Sequence, residues 1–498
     1  MELLTNSRFS KYSHFALAGY CLASGLSIGL SQTIIVVTLL YWIAYLVKQI
    51  SLGNRFNDQS SELQAIYAHQ LTAPIMYWVT ISFVSALVGM NSGRALEEAF
   101  KMSIYLLLPF CVFTSLSSFR LNAEVRLGRM KCYLFCLLLS QIIAGVYRTI
   151  NVGFNDVLVH SLKPPGAVTE SGQLVLVIAG VIGLWFISAL GRTSAAKPSA
   201  LSHKKASEAA MAVSVFLGVL IIAWPDVFGL NRVLWFSPVV RIFLALGIMG
   251  MLLPMFVFNF SRHCVGKELT MGRLNGVHVR RFLLFGIATL FAVFLINLKR
   301  GPWLGVCLEL LIVGVLLSRR LIFFTVFFIM ATLVALAPAR TRLMQLVDDF
   351  VISGGRQYMW EIGSELAQRF PVGLGLDNAQ VMRNLDPSLP ELHRHMHNNL
   401  LNVAVENGWL GMMVYIWWMF VAIKMGFVIW QTNKGAVDLN VREGALLGLF
   451  LSCGLVGWQV AGLAEYNFGD GEVCMIALFF MGLLLTLGQL LQKPVGAR

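Results

Sequence analysis

The chain is a succession of long apolar runs separated by short polar connections. A helix needs about 20 largely apolar residues to cross a bilayer. Runs of that kind fall near 14–29, 31–47, 71–90, 102–118 and 132–150. Others follow near 172–190, 209–225, 235–258, 282–299, 302–318 and 321–338, and the last near 408–430, 443–463 and 473–491. The first is interrupted by Gly and Ser and reads as short or broken. This pattern predicts an all-α polytopic membrane protein of about 12–14 transmembrane helices. One interval departs from it. Residues 339–400 crowd Arg340, Arg342, Asp348, Asp349, Arg356, Glu361, Glu365 and Arg369 between two apolar regions. They read as one large helical loop separating an N-terminal bundle (1–338) from C-terminal helices (401–498).

Two amphipathic stretches lie within that loop. TRLMQLVDDFVI puts Leu343, Leu346, Val347 and Phe350 on one stripe, and GRQYMWEIGSELAQRF puts Met359, Trp360 and Leu366 near one face, spacings that suit helices able to lie on a membrane surface. PVGLGLDN then ends regular structure through Pro371, Gly373 and Gly375, and Pro387 and Pro390 precede HRHMHNNLL.

Composition and charge narrow the class. Hydrophobic residues make up 57% of the chain and charged residues 13%, against about 25% charged in soluble domains, which excludes a water-soluble protein. The net charge of +13 has two readings, a nucleic-acid partner or the retention of Lys and Arg in cytoplasmic loops. Distribution decides between them. One alternating set of connections carries clusters such as Arg126, Arg129 and Lys131, or Arg262, Lys267 and Arg273. The opposite short connections hold only Arg94, Lys101, Lys163, Arg232, Lys299 and Arg300. This asymmetry puts both termini in the cytoplasm and residues 339–400 outside it, and no nucleic acid is needed to explain the charge. Arg8 and Lys11 before an apolar run look like a signal peptide, but apolar sequence resumes at once in SQTIIVVTLLYWIAYLV, so an uncleaved spanning helix is expected. None of the eight cysteines falls in the polar loop, and all read as small apolar packers rather than disulfide partners.

Several polar groups carry candidate chemistry. His393, His395 and His397 lie within five residues, a density open to three readings: a metal site, solvated loop side chains, or one imidazole acting as a proton acceptor near neutrality. No HExxH or CxxC accompanies them. Lys299 and Arg300 sit between two apolar runs on the side where cations are scarce. The alternatives are snorkelling at the interface and an anionic ligand, with pyrophosphate a natural one for an arginine fork. Arg356 follows two glycines at a helix start, where anions are favoured; by itself it reads more readily as a solvated surface residue. Glu406 in AVENGWLG reads as polar packing at the start of a span. Arg148 and Arg241 near outer helix ends can snorkel, whereas Glu309 lies deeper and needs a partner, a proton or a polar cavity. No nucleophile elbow or P-loop occurs, which leaves covalent serine catalysis and ATP-driven transport without support. The first outer connection, around Gly29 to Ser31, holds no carboxylate, which disfavours a glycosyltransferase with an acidic metal-binding motif there.

At these residues the chain resembles the O-antigen ligase and polymerase superfamily of bacterial envelope glycan transferases. The similar stretches are LKRGPW at 298–303, SGGRQYMW at 353–360, PVGLGLDN at 371–378, HRHMHNNLLNVAVENGWLG at 393–411 and EYNFGDGEV at 465–473. The resemblance implies about a dozen helices with a large periplasmic loop before the last spans. It implies transfer of a glycan from undecaprenyl pyrophosphate to lipid A–core in ligases, to another lipid-linked repeat in polymerases, or to a protein hydroxyl in other relatives. It assigns pyrophosphate binding to Arg300 and Arg356 and the base to His397, with His395 next in line; by their placement Lys299 is expected to join the pyrophosphate site and Asn398 and Glu406 to support it. The chain departs from many members in having LKRG where they carry Ser before the arginine, and in its extra spans. The expected chemistry is a metal- and cofactor-independent inverting displacement at the periplasmic face of the inner membrane, with the spans cradling the polyprenyl chain among membrane lipids. The competing class is a lipid-linked glycan transporter or flippase, with Glu309, Arg148 and Arg241 lining a path. A large polar loop on one side and the lack of repeated halves count against it.

Overall fold

The computed structural model describes residues 6–51, 69–117, 121–152, 167–190, 277–297, 299–335, 355–385 and 394–491, with single positions 341, 344 and 387. The expected runs at 209–225 and 235–258, the loop helix over TRLMQLVDDFVI, His393, Arg241 and the side chain of Arg148 lie outside the described residues.

Every regular element among the described residues is helical. In chain order these are α1 (Asn6–Ala23), α2 (Ile28–Ser51), α3 (Thr72–Val88), α4 (Ser92–Tyr105) and α5 (Leu108–Ser117). Next come α6 (Ala123–Val152), α7 (Ala167–Leu190), α8 (Val277–Ile296), α9 (Arg300–Leu317) and α10 (Arg319–Ala335). The last are α11 (Arg356–Arg369), the single turn α12 (Met382–Leu385), α13 (Asn399–Asn433), α14 (Leu439–Ala461) and α15 (Gly471–Leu491). Among the described residues eight stretches are long and apolar enough to cross a membrane, with α4 and α5 acting together as one of them. The chain is an all-α, multi-pass membrane protein.

The bundle is organised around α14, which packs against α7, α13 and α9. Small residues set the closest of these approaches. A side chain at Gly305 would strike the carbonyl of Gly457, and one at Gly457 would overlap the Glu309 carboxyl. Glycines therefore let α9 and α14 meet nearly backbone to backbone, with Glu309 tucked against Gly457. Glu309 is buried, and neither carboxyl oxygen has a hydrogen-bond partner among the described residues.

Helix α13 begins at Asn399, well before the apolar run near 408–430 that marks it in sequence, because Asn398 caps it by accepting from Leu401 N. It kinks at Gly408, whose φ of 72° is left-handed. The carbonyls released by the kink are taken up by PVGLGLDN: Leu374 N donates to Val405 O at 2.9 Å and Gly375 N to Glu406 O at 2.9 Å, while Trp409 N donates to Pro371 O. Gly373, at φ 96°, lies so close to Glu406 O that no side chain fits there. The sequence reading of this segment as a break in regular structure holds, and its bonds satisfy backbone groups that the kink would leave unpaired.

Helix α11 turns Met359, Ile362, Gly363, Leu366 and Ala367 inward. Trp360 is only half-buried and donates its indole N–H to Met396 O at 3.0 Å. The expected stripe thus covers protein rather than lying on a membrane surface. Met396, Ala404 and Val405 supply its apolar partners.

Candidate functional site

The connections at 89–92, 299–300 and 462–470 gather with residues 355–385 and 394–398 at one end of the bundle. Met90 N donates to Leu374 O, Arg94 Nε donates to Asp377 at 2.6 Å, and Arg356 reaches Glu465.

The centre of this cluster is Glu465, in the turn after α14. One carboxylate oxygen accepts from Arg356 Nη2 at 2.8 Å, and the other lies 3.1 Å from His397 Nδ1. Burial pushes the Glu465 carboxyl up, but the His397 hydrogen bond and the charges of Arg356, His397 and Lys299 outweigh it and hold the group at about 2. An ionised carboxylate only accepts, so Nδ1 of His397 carries a hydrogen, and in the neutral ring the lone pair is then on Nε2.

His395 takes the opposite arrangement. Its Nδ1 accepts from the backbone N of His397 at 3.3 Å, which places its own hydrogen on Nε2. The two rings meet edge to face at 4.3 Å between centroids, and His395 also lies 5.5 Å from the ring of Tyr466.

The backbone here is specially held. His397 has φ 48°, the left-handed region that residues other than glycine seldom enter. The cost, of order 1–2 kcal/mol, is met by anchors on both sides. Met396 N donates to Asn402 Oδ1 at 3.1 Å and Met396 O accepts from Trp360. Asn398 Nδ2 donates to Leu463 O at 3.1 Å, and Asn399 N donates to Gly462 O at 2.7 Å. Asn399 Nδ2 also donates to Asn467 Oδ1 at 2.7 Å, and Phe468 N donates to Asn399 Oδ1. The start of α13 is thereby stitched to the turn carrying Glu465, and strain of this kind gathers at functional sites.

Arg356 opens α11 immediately after Gly355, whose extended backbone starts the helix. Lys299 and Arg300 stand half-exposed at the start of α9. The next residue, Gly301, packs so closely on the turn that an added Cβ would lie 3.5 Å from Glu465 Cγ. Arg356 and Lys299 therefore act on one carboxylate from two helix N-termini, and Arg300 follows Lys299 at the first position of α9. Glu406 is buried on α13 and accepts the Tyr466 hydroxyl at 3.1 Å, the polar packing expected of it.

Sequence reasoning passed over Glu465 and Tyr466 as site residues, although EYNFGDGEV contains both. Carboxylates at Glu465, Asp470 and Glu472 within one short connection between apolar spans were the available signal. Among the described residues no group of three or more His, Cys, Asp or Glu side chains gathers to hold a metal ion.

Residues 285–416 match the family model described as Wzy_C, O-Antigen ligase. This stretch supports the place of the chain in the O-antigen ligase superfamily, and it includes Lys299, Arg300, Arg356, His395, His397 and Glu406 but not Glu465. No curated protein matches the chain.

Proposed function

We propose that the chain transfers a glycan from undecaprenyl pyrophosphate to an acceptor hydroxyl at the periplasmic face of a bacterial inner membrane, in the manner of an O-antigen ligase with lipid A–core as acceptor. The observation that carries this reading is the buried Glu465 carboxylate that anchors both Arg356 and His397 with Lys299 close by; Arg300, next to Lys299, would meet a lipid-linked pyrophosphate at the membrane edge. Both termini then lie in the cytoplasm, and the segment 339–400 forms the outer catalytic loop.

The chemistry follows from the groups. Arg300 and Arg356 grip the pyrophosphate oxygens and offset the charge that builds as the sugar–oxygen bond breaks. Nε2 of His397 takes the proton of the acceptor hydroxyl as its oxygen bonds to the anomeric carbon. The bonding pair of the broken bond leaves with the pyrophosphate, and attack from the opposite face inverts the anomeric centre. His395 is the poorer base because its Nδ1 lone pair is committed to a backbone N–H and its Nε2 carries the hydrogen.

Deletion of the coding sequence followed by surface-glycan profiling tests the reading. Loss of long chains from lipid A–core, with lipid-linked polymer accumulating, is the expected result. A single repeat left on the core would instead indicate a polymerase, and unchanged lipopolysaccharide with lost protein glycosylation a protein transferase.

A further inference from the structure

We infer that Glu465 is a positioning residue that links donor binding to the base: it orients His397 through Nδ1 and occupies the Arg356 guanidinium until a pyrophosphate replaces it. The inference rests on the pyrophosphate-donor reading above and adds the order in which the site assembles.

The two carboxylate oxygens have separate partners. Oε1 faces Arg356 at 2.8 Å and Oε2 faces His397 at 3.1 Å. The Arg356 and His397 side chains are each 26% exposed against 9% for Glu465, so an incoming anion meets the guanidinium and the imidazole before it meets the carboxylate. Before the donor binds, Glu465 stands in for that anion, neutralising Arg356 with Lys299 also within reach of its charge. A pyrophosphate arriving at the same guanidinium feels the Glu465 charge as a like charge a few ångströms away. Binding therefore weakens the Arg356–Glu465 pair. The carboxylate is left to His397 alone, where it holds the Nδ1 hydrogen and supports the imidazolium that forms when Nε2 takes the acceptor proton.

This arrangement gives Glu465 opposite effects on binding and turnover, which a merely structural residue does not have. Removing its charge strengthens the hold on pyrophosphate and cripples the base.

The test uses the full-length protein in lipid nanodiscs, with undecaprenyl pyrophosphate as the binding probe and an undecaprenyl-pyrophosphate-linked glycan for turnover. For Glu465→Gln the expected result is undecaprenyl pyrophosphate bound about 3- to 10-fold more tightly and kcat lowered roughly 10²-fold. Glu465→Asp keeps the charge but is too short to span both partners, so its affinity should stay near wild type while kcat falls. Weaker or unchanged binding by Glu465→Gln, or an unchanged kcat in either variant, would overturn the inference. Should Glu465→Gln fail to fold, wild-type kcat in Glu465→Asp overturns it alone. A wild-type protein that binds no undecaprenyl pyrophosphate would instead remove the donor reading beneath it, a distinguishable outcome because it appears before any substitution is made.

Discussion

Nδ1 of His397 lies 3.1 Å from a carboxylate oxygen of Glu465, a residue 68 positions further along the chain. That pairing fixes a ring hydrogen on Nδ1, facing the buried carboxylate, and makes Nε2 the proton-accepting nitrogen of the neutral ring in a side chain that is 26% exposed. The proposed division of labour, arginines for the leaving group and imidazole for the acceptor proton, follows from this one orientation.

Arg300→Lys should impair transfer although the charge is kept. Lysine supplies a point charge in place of the planar fork that matches two phosphate oxygens. A fall of about tenfold in kcat/KM, or about 1.4 kcal/mol of transition-state stabilisation, is expected in steady-state assays in nanodiscs. Wild-type kinetics in this variant would argue against bidentate pyrophosphate binding.

The Glu465 carboxyl, held at about 2, ties stability to pH with a definite sign. Its ionised form is favoured by the fold, so its contribution is fully present above the ordinary value of 4.5 and drains away as pH falls toward about 2. The shift corresponds to about 3 kcal/mol. Thermal unfolding of wild type and Glu465→Gln should differ most at neutral pH, with the gap closing only below about pH 4.5. A gap that stayed constant down to pH 3 would contradict the ion-paired state.

Gly457→Ala should destabilise the bundle by about 1–3 kcal/mol, because the added methyl overlaps the Glu309 carboxyl. Glu309→Ala in the same chain should restore at least half of the loss, measured as unfolding temperature in detergent. Equal losses in the single and double variants would show that the clash is not with Glu309. Glu309 lies about 13 Å along α9 from Arg300, so this seam fixes how Arg300 and the Glu465 turn face each other.

Transfer should persist in excess EDTA, since guanidinium groups carry the charge neutralisation a divalent cation would otherwise supply. Loss of activity restored by zinc would return the histidine cluster to the metal reading.

How far the sequence reached depended on the range of each signal. Helices were legible because an apolar run declares itself locally, and most expected spans coincide with helices wherever the structure describes them. Arg300, Arg356 and His397 were legible through unusual placement and through short motifs resembling a family. Glu465 was not, because its partners are 109 and 68 residues away and a single Glu in a connection reads as solvated until those partners are placed around it. The early start of α13 was hidden for a similar reason. Asn398, Asn399 and Asn402 look like loop in sequence, and only their bonds to Leu401, Gly462 and Met396 make them helix cap and scaffold. Glu309 stood out as an intramembrane acid, but the glycine that makes room for it lies on another helix.

The most direct measurement is transfer of labelled glycan from undecaprenyl pyrophosphate to lipid A–core by purified His397→Ala protein in proteoliposomes, alongside undecaprenyl pyrophosphate binding by the same sample. The expected result is retained binding with transfer reduced by roughly 10²–10⁴-fold. Transfer at the wild-type rate, with binding intact, would contradict the assignment of His397 as the base.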